Sequence, residues 1–190
     1  FLGFSLMGFE MIGSRYLYPF YGGGIDTWAA LISTVLAALM CGYFMGGYAV
    51  ERFPSTRLLG FIVIVSGFYL GIIPIFADNL LTLFIDVFGD GLTSILVASF
   101  ALLFFPLTLL GAYSPFAIHL ATEQKDSSGK ISGITYGIST FGNIFGTLVT
   151  TFYLIPIMGS RKITYVLAVT VCCCGISIVL SSLRSRAQQV

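Results

Sequence analysis

Residues Phe1 to Gly24, FLGFSLMGFEMIGSRYLYPFYGGG, form an apolar run that carries Glu10 and Arg15 in its interior and stops at Gly22, Gly23 and Gly24. If this run crosses a bilayer as its neighbours do, it places two opposite charges where hydrocarbon surrounds the protein. Charged side chains at that depth are paired or face the inside of a bundle. The fold must therefore offer Glu10 and Arg15 a polar interior, and the remaining segments are read for what could supply it.

Composition sets the class. With 57% hydrophobic and 9% charged residues and a mean hydropathy of +0.98, the chain lies far outside soluble domains, which carry about 25% charged residues. It reads as an all-α polytopic membrane protein whose first partner is the lipid bilayer. Nine Lys and Arg spread along the chain, with a net charge of +1, exclude a nucleic-acid partner, because backbone recognition needs concentrated positive charge. Cys172, Cys173 and Cys174 are consecutive, so on a helix they point in three directions and do not converge on one metal ion. With Cys41 they read as small apolar filler, and neither a metal nor a cofactor is expected. The chain opens on Phe inside an apolar run, so its native form is expected to be longer.

Hydropathy and turn signals predict six transmembrane helices, at about 1–20, 27–50, 58–76, 92–119, 131–158 and 163–183, with residues 79–91 as an interfacial helix or a lumen-side extension. Residues 184–190 read as a cytoplasmic tail leading to a further domain. Trp28 and Tyr48 sit near the ends of the second helix as interfacial anchors. With an even number of spans both termini share one side. That side receives Arg52, Arg57, Lys125, Lys130, Arg184 and Arg186, and the other receives Arg161 and Lys162, with Arg15 if it lies that close, among Asp26, Asp78, Asp86 and Asp90. The positive-inside rule then places both termini in the cytoplasm of a cell bounded by this inner membrane.

Glycines four residues apart open a helix face to close backbone approach. Gly42 and Gly46 do so in the second helix, and Gly133 with Gly137 and Gly142 with Gly146 in the fifth, so these two helices are expected to be central. Tyr136, Thr140 and Asn143 share roughly one face of the fifth helix, with Ser139 adjacent. Glu10 and Arg15, five apart, are somewhat off a common face. Three accounts of that pair stand: a structural cluster satisfied by Asn143, Tyr136 or a backbone carbonyl, a binding site for a polar or cationic solute, or a proton relay through Glu10. An apolar role is excluded, since insertion of such a charge at mid-bilayer costs about 2.5–3.5 kcal/mol.

The run Gly46-Gly47-Tyr48-Ala49-Val50-Glu51-Arg52, followed by Pro54 and Arg57, resembles the turn between the second and third helices of major facilitator superfamily transporters, with Glu51 where that family usually has aspartate. In that family the turn has a gating or structural role, and six spans would correspond to half of its fold. A longer series of motifs resembles the membrane domain of bacterial spermidine synthase-like proteins. It comprises Glu10, Gly13, Ser14 and Arg15; Tyr18-Pro19; Gly22 and Trp28; the Gly46 to Arg52 turn; Leu110-Gly111 and Ser114-Pro115; Gly133, Tyr136, Ser139-Thr140, Gly142 and Gly146; and Leu154-Ile155-Pro156.

That resemblance implies a membrane module that anchors, or supplies a small polar or polyamine-like solute to, a cytoplasmic aminopropyltransferase-like domain. The present chain holds no glycine-rich strand-to-helix loop in a soluble segment. His119 reads as an interfacial histidine, so no catalytic residue is assigned and enzymatic activity is left open. Two other functional classes stand beside this one: a half-transporter for a small polar or cationic solute, which pairs as a homo-oligomer, and a non-catalytic accessory subunit of a larger membrane complex.

Overall fold

The computed structural model describes residues 1–122 and 128–187, with side chains omitted at 128 and 184–187. Lys125 thus lies outside the described residues, as do the side chains of Arg184 and Arg186, all three used above for orientation. Six helical rods form the bundle. The first three are α1 (Leu2–Tyr21), α2 (Ile25–Arg52) and α3 (Thr56–Phe88). The fourth, residues 92–122, joins α4 (Leu92–Ser99), a π-helical turn at Phe100–Phe104, α5 (Phe105–Gly111) and α6 (Tyr113–Thr122). The fifth, residues 128–157, joins α7 (Ser128–Val149), a second π turn at Thr150–Leu154 and α8 (Ile155–Ile157); the sixth is α9 (Ser160–Ala187).

Local chemistry sets the ends. Gly22 stops α1 with a positive φ of 72°, and its amide bonds the Tyr18 carbonyl at 2.9 Å. Gly89 does the same for α3, with φ 75° and a 2.8 Å bond to Ile85. Only glycine takes this left-handed conformation without a Cβ penalty. Pro54 follows the end of α2, where Phe53 has left the helical region.

Both π turns fall just ahead of a proline, Pro106 and Pro156. A proline lacks an amide hydrogen and its ring crowds the carbonyl one turn earlier. The widened turn relieves that crowding, and side chains from α3 take up carbonyls nearby. The Tyr69 hydroxyl donates to Ala101 O at 3.1 Å and Ser66 Oγ to Pro106 O at 2.9 Å.

One expectation is corrected here. No break separates 58–76 from the residues that follow, because α3 continues to Phe88, so 79–88 extend α3 rather than forming a separate interfacial helix. Asp78 and Asn79 do not end it; Thr82 Oγ1 donates to the Asp78 carbonyl, and the Asp78 carboxylate pairs with Arg161. The apolar span of α9 ends at Leu183, and residues 184–187 continue its helix beyond it. Five rods are long and apolar enough to cross a membrane, and α1 is not among them. Glu10 and Arg15 lower its hydropathy, although it packs in the same bundle. The protein is an all-α, multi-pass membrane protein.

Among helices surrounded by lipid, association rests on close packing and hydrogen bonds rather than on hydrophobic burial. Three rod pairs use it most. α3 and α9 run antiparallel, with Gly60 against Gly175 O and Val179, Gly175 against Gly60 O and Ile64, and Gly67 against Cys172. α1 and α7 run parallel, with Gly142 and Gly146 against the backbone of Gly3 and Phe4. α2 and the fourth rod also run parallel, with Gly42 against Thr108 O and Gly46 against Ala112 and Pro115.

Exchanging rods one, two and three for rods four, five and six maps this set onto itself. The first and fifth rods become the fourth and second, and the third and sixth trade places. The weaker contacts of α1 with α9 and of α1 with α2 map onto those of the fourth rod with α3 and of α6 with α7.

The expectation that the second and fifth helices are central is also corrected. The fourth rod is the centre, with 61% of its apolar window buried against 39% for α2 and 11% for the fifth rod. Leu102, Leu103, Leu107, Leu110 and Phe116 of that rod are fully enclosed and meet Phe9, Ile12 and Leu17 of α1 in one core.

Candidate functional site

Glu10 and Arg15 do not meet. Five residues at about 100° each put them roughly 140° apart around α1. Glu10 is half-buried and Arg15 exposed, and among the described residues the ion pair present joins Arg161 to Asp78. The two charges face different surroundings, one at each side of the helix.

At the start of α1, a cleft of about 280 Å³ is lined by Phe1, Gly3, Tyr113, Thr135, Ser139 and Gly142. Tyr113 and Ser139 share a hydrogen bond between their hydroxyls. The Asn143 amide, oriented by its partners, donates to Gly3 O at 2.9 Å and to Ser139 O at 3.3 Å. Tyr43 of α2 lies within electrostatic reach of Tyr113 and Tyr136. Polar groups of α1, α6 and α7 thus meet at this end, where α1 and α7 approach through glycine backbones.

At the far end of α1, a second cleft of about 300 Å³ is lined by Ser14, Arg15, Tyr18, Thr27, Trp28 and Thr151, with Met11 and Ile155 among its apolar walls. Ser14 Oγ is already engaged, donating to Met11 O at 2.7 Å. Thr151 belongs to the second π turn, and its Oγ1 is enclosed without a hydrogen-bond partner, as is that of the fully buried Thr150. Thr150 lies against Gly8, where no side chain fills the space between α1 and the turn. Orphaned hydroxyls at a π turn are the kind of stored polar capacity found at functional positions. The two threonines were missed from sequence; the signal was a Thr-Thr pair one turn ahead of Pro156 in an apolar span.

The expected cluster is thus divided. Asn143 does meet α1, but at Gly3 rather than Glu10. Tyr136 joins the tyrosines, and Thr140 is exposed. Gly133 and Gly137 face open space, unlike Gly142 and Gly146. In the turn motif, Gly46 is seated and Gly47 is open. Glu51 and Arg52 are exposed in the last turn of α2, with the Arg52 guanidinium 5.9 Å from the centre of the Phe53 ring. Arg57 is half-buried in the first turn of α3, and its Nε lacks a hydrogen-bond partner. No group of His, Cys, Asp and Glu able to hold a metal exists among the described residues.

The chain matches no protein-family model, no curated protein and no solved structure. Its chemistry is therefore read from the arrangement itself: a carboxylate midway along a helix that has a polar cleft at each end.

Proposed function

We propose that this chain is a six-helix solute-handling module, half of a transporter for a small polar or cationic solute, in which Glu10 is the group that solute or a proton neutralises. The observation that carries this reading is Glu10 itself, half-buried at the middle of α1 and without a cationic partner among the described residues. A lone carboxylate at that depth is stable when protonated or when a cation sits beside it. Alternation between those two states is a coupling device.

The exchange of the first three rods with the last three supports the same reading, since such internal repeats recur in transporters with sites at the repeat interface. The resemblance to spermidine synthase-like membrane domains adds a candidate solute, a polyamine-like cation, and a candidate recipient, a cytoplasmic aminopropyltransferase-like domain. The phenol rings of Tyr43, Tyr113 and Tyr136 offer the aromatic faces and hydroxyls that ammonium groups take.

The test is uptake of labelled spermidine and of small monovalent amines into vesicles reconstituted with the chain, with and without a pH gradient. Gradient-dependent uptake that falls about tenfold or more in Glu10→Gln is expected. Binding without uptake would move the assignment to an anchoring and presenting module. Neither binding nor uptake would leave the accessory-subunit class, which fixed-ratio copurification with another membrane protein would identify.

A further inference from the structure

Arg15, unpaired with Glu10, lines not only the cleft it shares with Ser14 and Thr151 but also a further one. On the side of α1 toward α3 and α9, a cleft of about 420 Å³ is lined by Arg15, Tyr16, Asp78, Ser160, Arg161 and Lys162. Three cationic side chains meet one carboxylate here. That carboxylate is already committed, since Asp78 pairs with Arg161. Arg15 and Lys162 make no ion pair among the described residues, so the cleft keeps an excess of two positive charges. Its other titratable group, Tyr16, is occupied by a 3.2 Å hydrogen bond with Thr164.

Three further features point the same way. Gly159 and Ser160 bring the start of α9 to the cleft, and the first amides of a long helix lack intrahelical acceptors and favour an anion. The remaining charges at this end of the bundle are acidic, Asp26, Asp86 and Asp90, so the excess is local and not a general basic surface. Finally, the cleft lies where the apolar span Ser160–Leu183 begins, while α3 runs on for ten residues from Asp78 to Phe88, about 15 Å of helix. A span that begins at Ser160 puts the cleft at the headgroup level, where the long side chains of Lys and Arg near helix ends reach the interface. Pro19 and Phe20 complete the wall and give the apolar side that a lipid backbone would take.

We propose that this cleft binds a phosphate oxyanion, held by Arg15 and Lys162 with the Arg161–Asp78 pair as a fixed wall. The oxyanion belongs to an anionic lipid headgroup or to free phosphate. Guanidinium forks match phosphate geometry and the lysine adds a point charge.

The test uses the full chain in neutral detergent, titrated with dioctanoyl-phosphatidylglycerol, with dioctanoyl-phosphatidylcholine and with inorganic phosphate, each read by native mass spectrometry and by Tm. Saturable phosphatidylglycerol binding is expected, at least tenfold weaker in the double variant Arg15→Gln, Lys162→Gln and unchanged in Lys130→Gln at the opposite end. If the double variant does not fold, Lys162→Gln alone is read, with an expected loss of about threefold. Asp78→Asn removes the only carboxylate and should tighten binding. Competition by inorganic phosphate at similar concentration assigns the site to the free anion; saturation by phosphatidylglycerol that phosphate does not displace assigns it to lipid. The proposal is overturned if the charge-removing variants bind as the native chain does, if Lys130→Gln weakens binding equally, or if phosphatidylcholine binds as tightly as phosphatidylglycerol.

Discussion

Helix α7 carries glycines four residues apart in two runs, 129–133–137 and 142–146, and the two runs have opposite fates. Gly142 and Gly146 are pressed against the backbone of Gly3 and Phe4, whereas Gly133 and Gly137 have nothing within 4 Å of the place a Cβ would occupy. Glycine spacing is permission and not contact. It lets a backbone approach, and whether one arrives is decided by the neighbouring helix: Gly3 and Phe4 of α1 supply it at Gly142 and Gly146, and no described residue does so at Gly133 or Gly137.

The most damaging way to probe this contrast is Gly146→Leu, whose Cβ would collide with Phe4 O and with the Phe4 Cα and C atoms. Backbone cannot give way as a flexible side chain does, so a loss of about 3 kcal/mol is expected, read as a fall in Tm of roughly 6–12 °C for a chain of this size. A stable Gly146→Leu protein with unshifted Tm would break the contrast at once.

Gly42→Leu tests whether the same seating holds in the other half of the bundle, where the collision is with Thr108 O. Its neighbours at Gly111 and Ala112 stand 3.2 Å away, so a slightly smaller loss of about 2 kcal/mol is expected. Equal tolerance of leucine at position 42 and at position 137 would show that the exchange of the two halves does not extend to packing.

Asn143→Ala sharpens the comparison on its polar side, because the amide donates to Gly3 O at the seated end of α7. Interhelical hydrogen bonds in membranes average about 0.6 kcal/mol, so a small fall in Tm is expected, accompanied by faster amide exchange at residues 3–7. The smallest effect belongs to Gly137→Leu, expected within about 0.5 kcal/mol of the native chain. A large fall there, appearing only at concentrations where the protein self-associates, would mean that a second molecule covers this face.

Much of the architecture was legible from particular residues. The apolar runs and the glycines at positions 22–24 announce α1, its stop and the rods that follow, because hydropathy and left-handed glycine are local properties. Asp78 and Asn79 misled, since two polar residues in sequence resemble a helix end. Their role depends on Arg161, which α9 brings alongside. The candidate site was half legible. Asn143 was singled out as a group in need of a partner at membrane depth; its partner is Gly3 O, and no spacing rule relates positions 3 and 143. The orphan hydroxyls of Thr150 and Thr151 depend on a π turn, which falls just ahead of Pro156.

By itself, then, the sequence determined that the chain lives in a membrane, that it is built from helices, and that Glu10 and Arg15 require explanation. Each of these follows from the transfer energy of single residues and from backbone preferences within one turn. The tertiary structure alone decided that Glu10 and Arg15 part company, that the fourth rod and not the glycine-rich fifth is the centre, and that Arg15 joins Arg161 and Lys162. Helices in lipid gain nothing from hiding apolar faces from one another. Their partners are chosen by shape and by a few polar contacts between positions far apart in the chain.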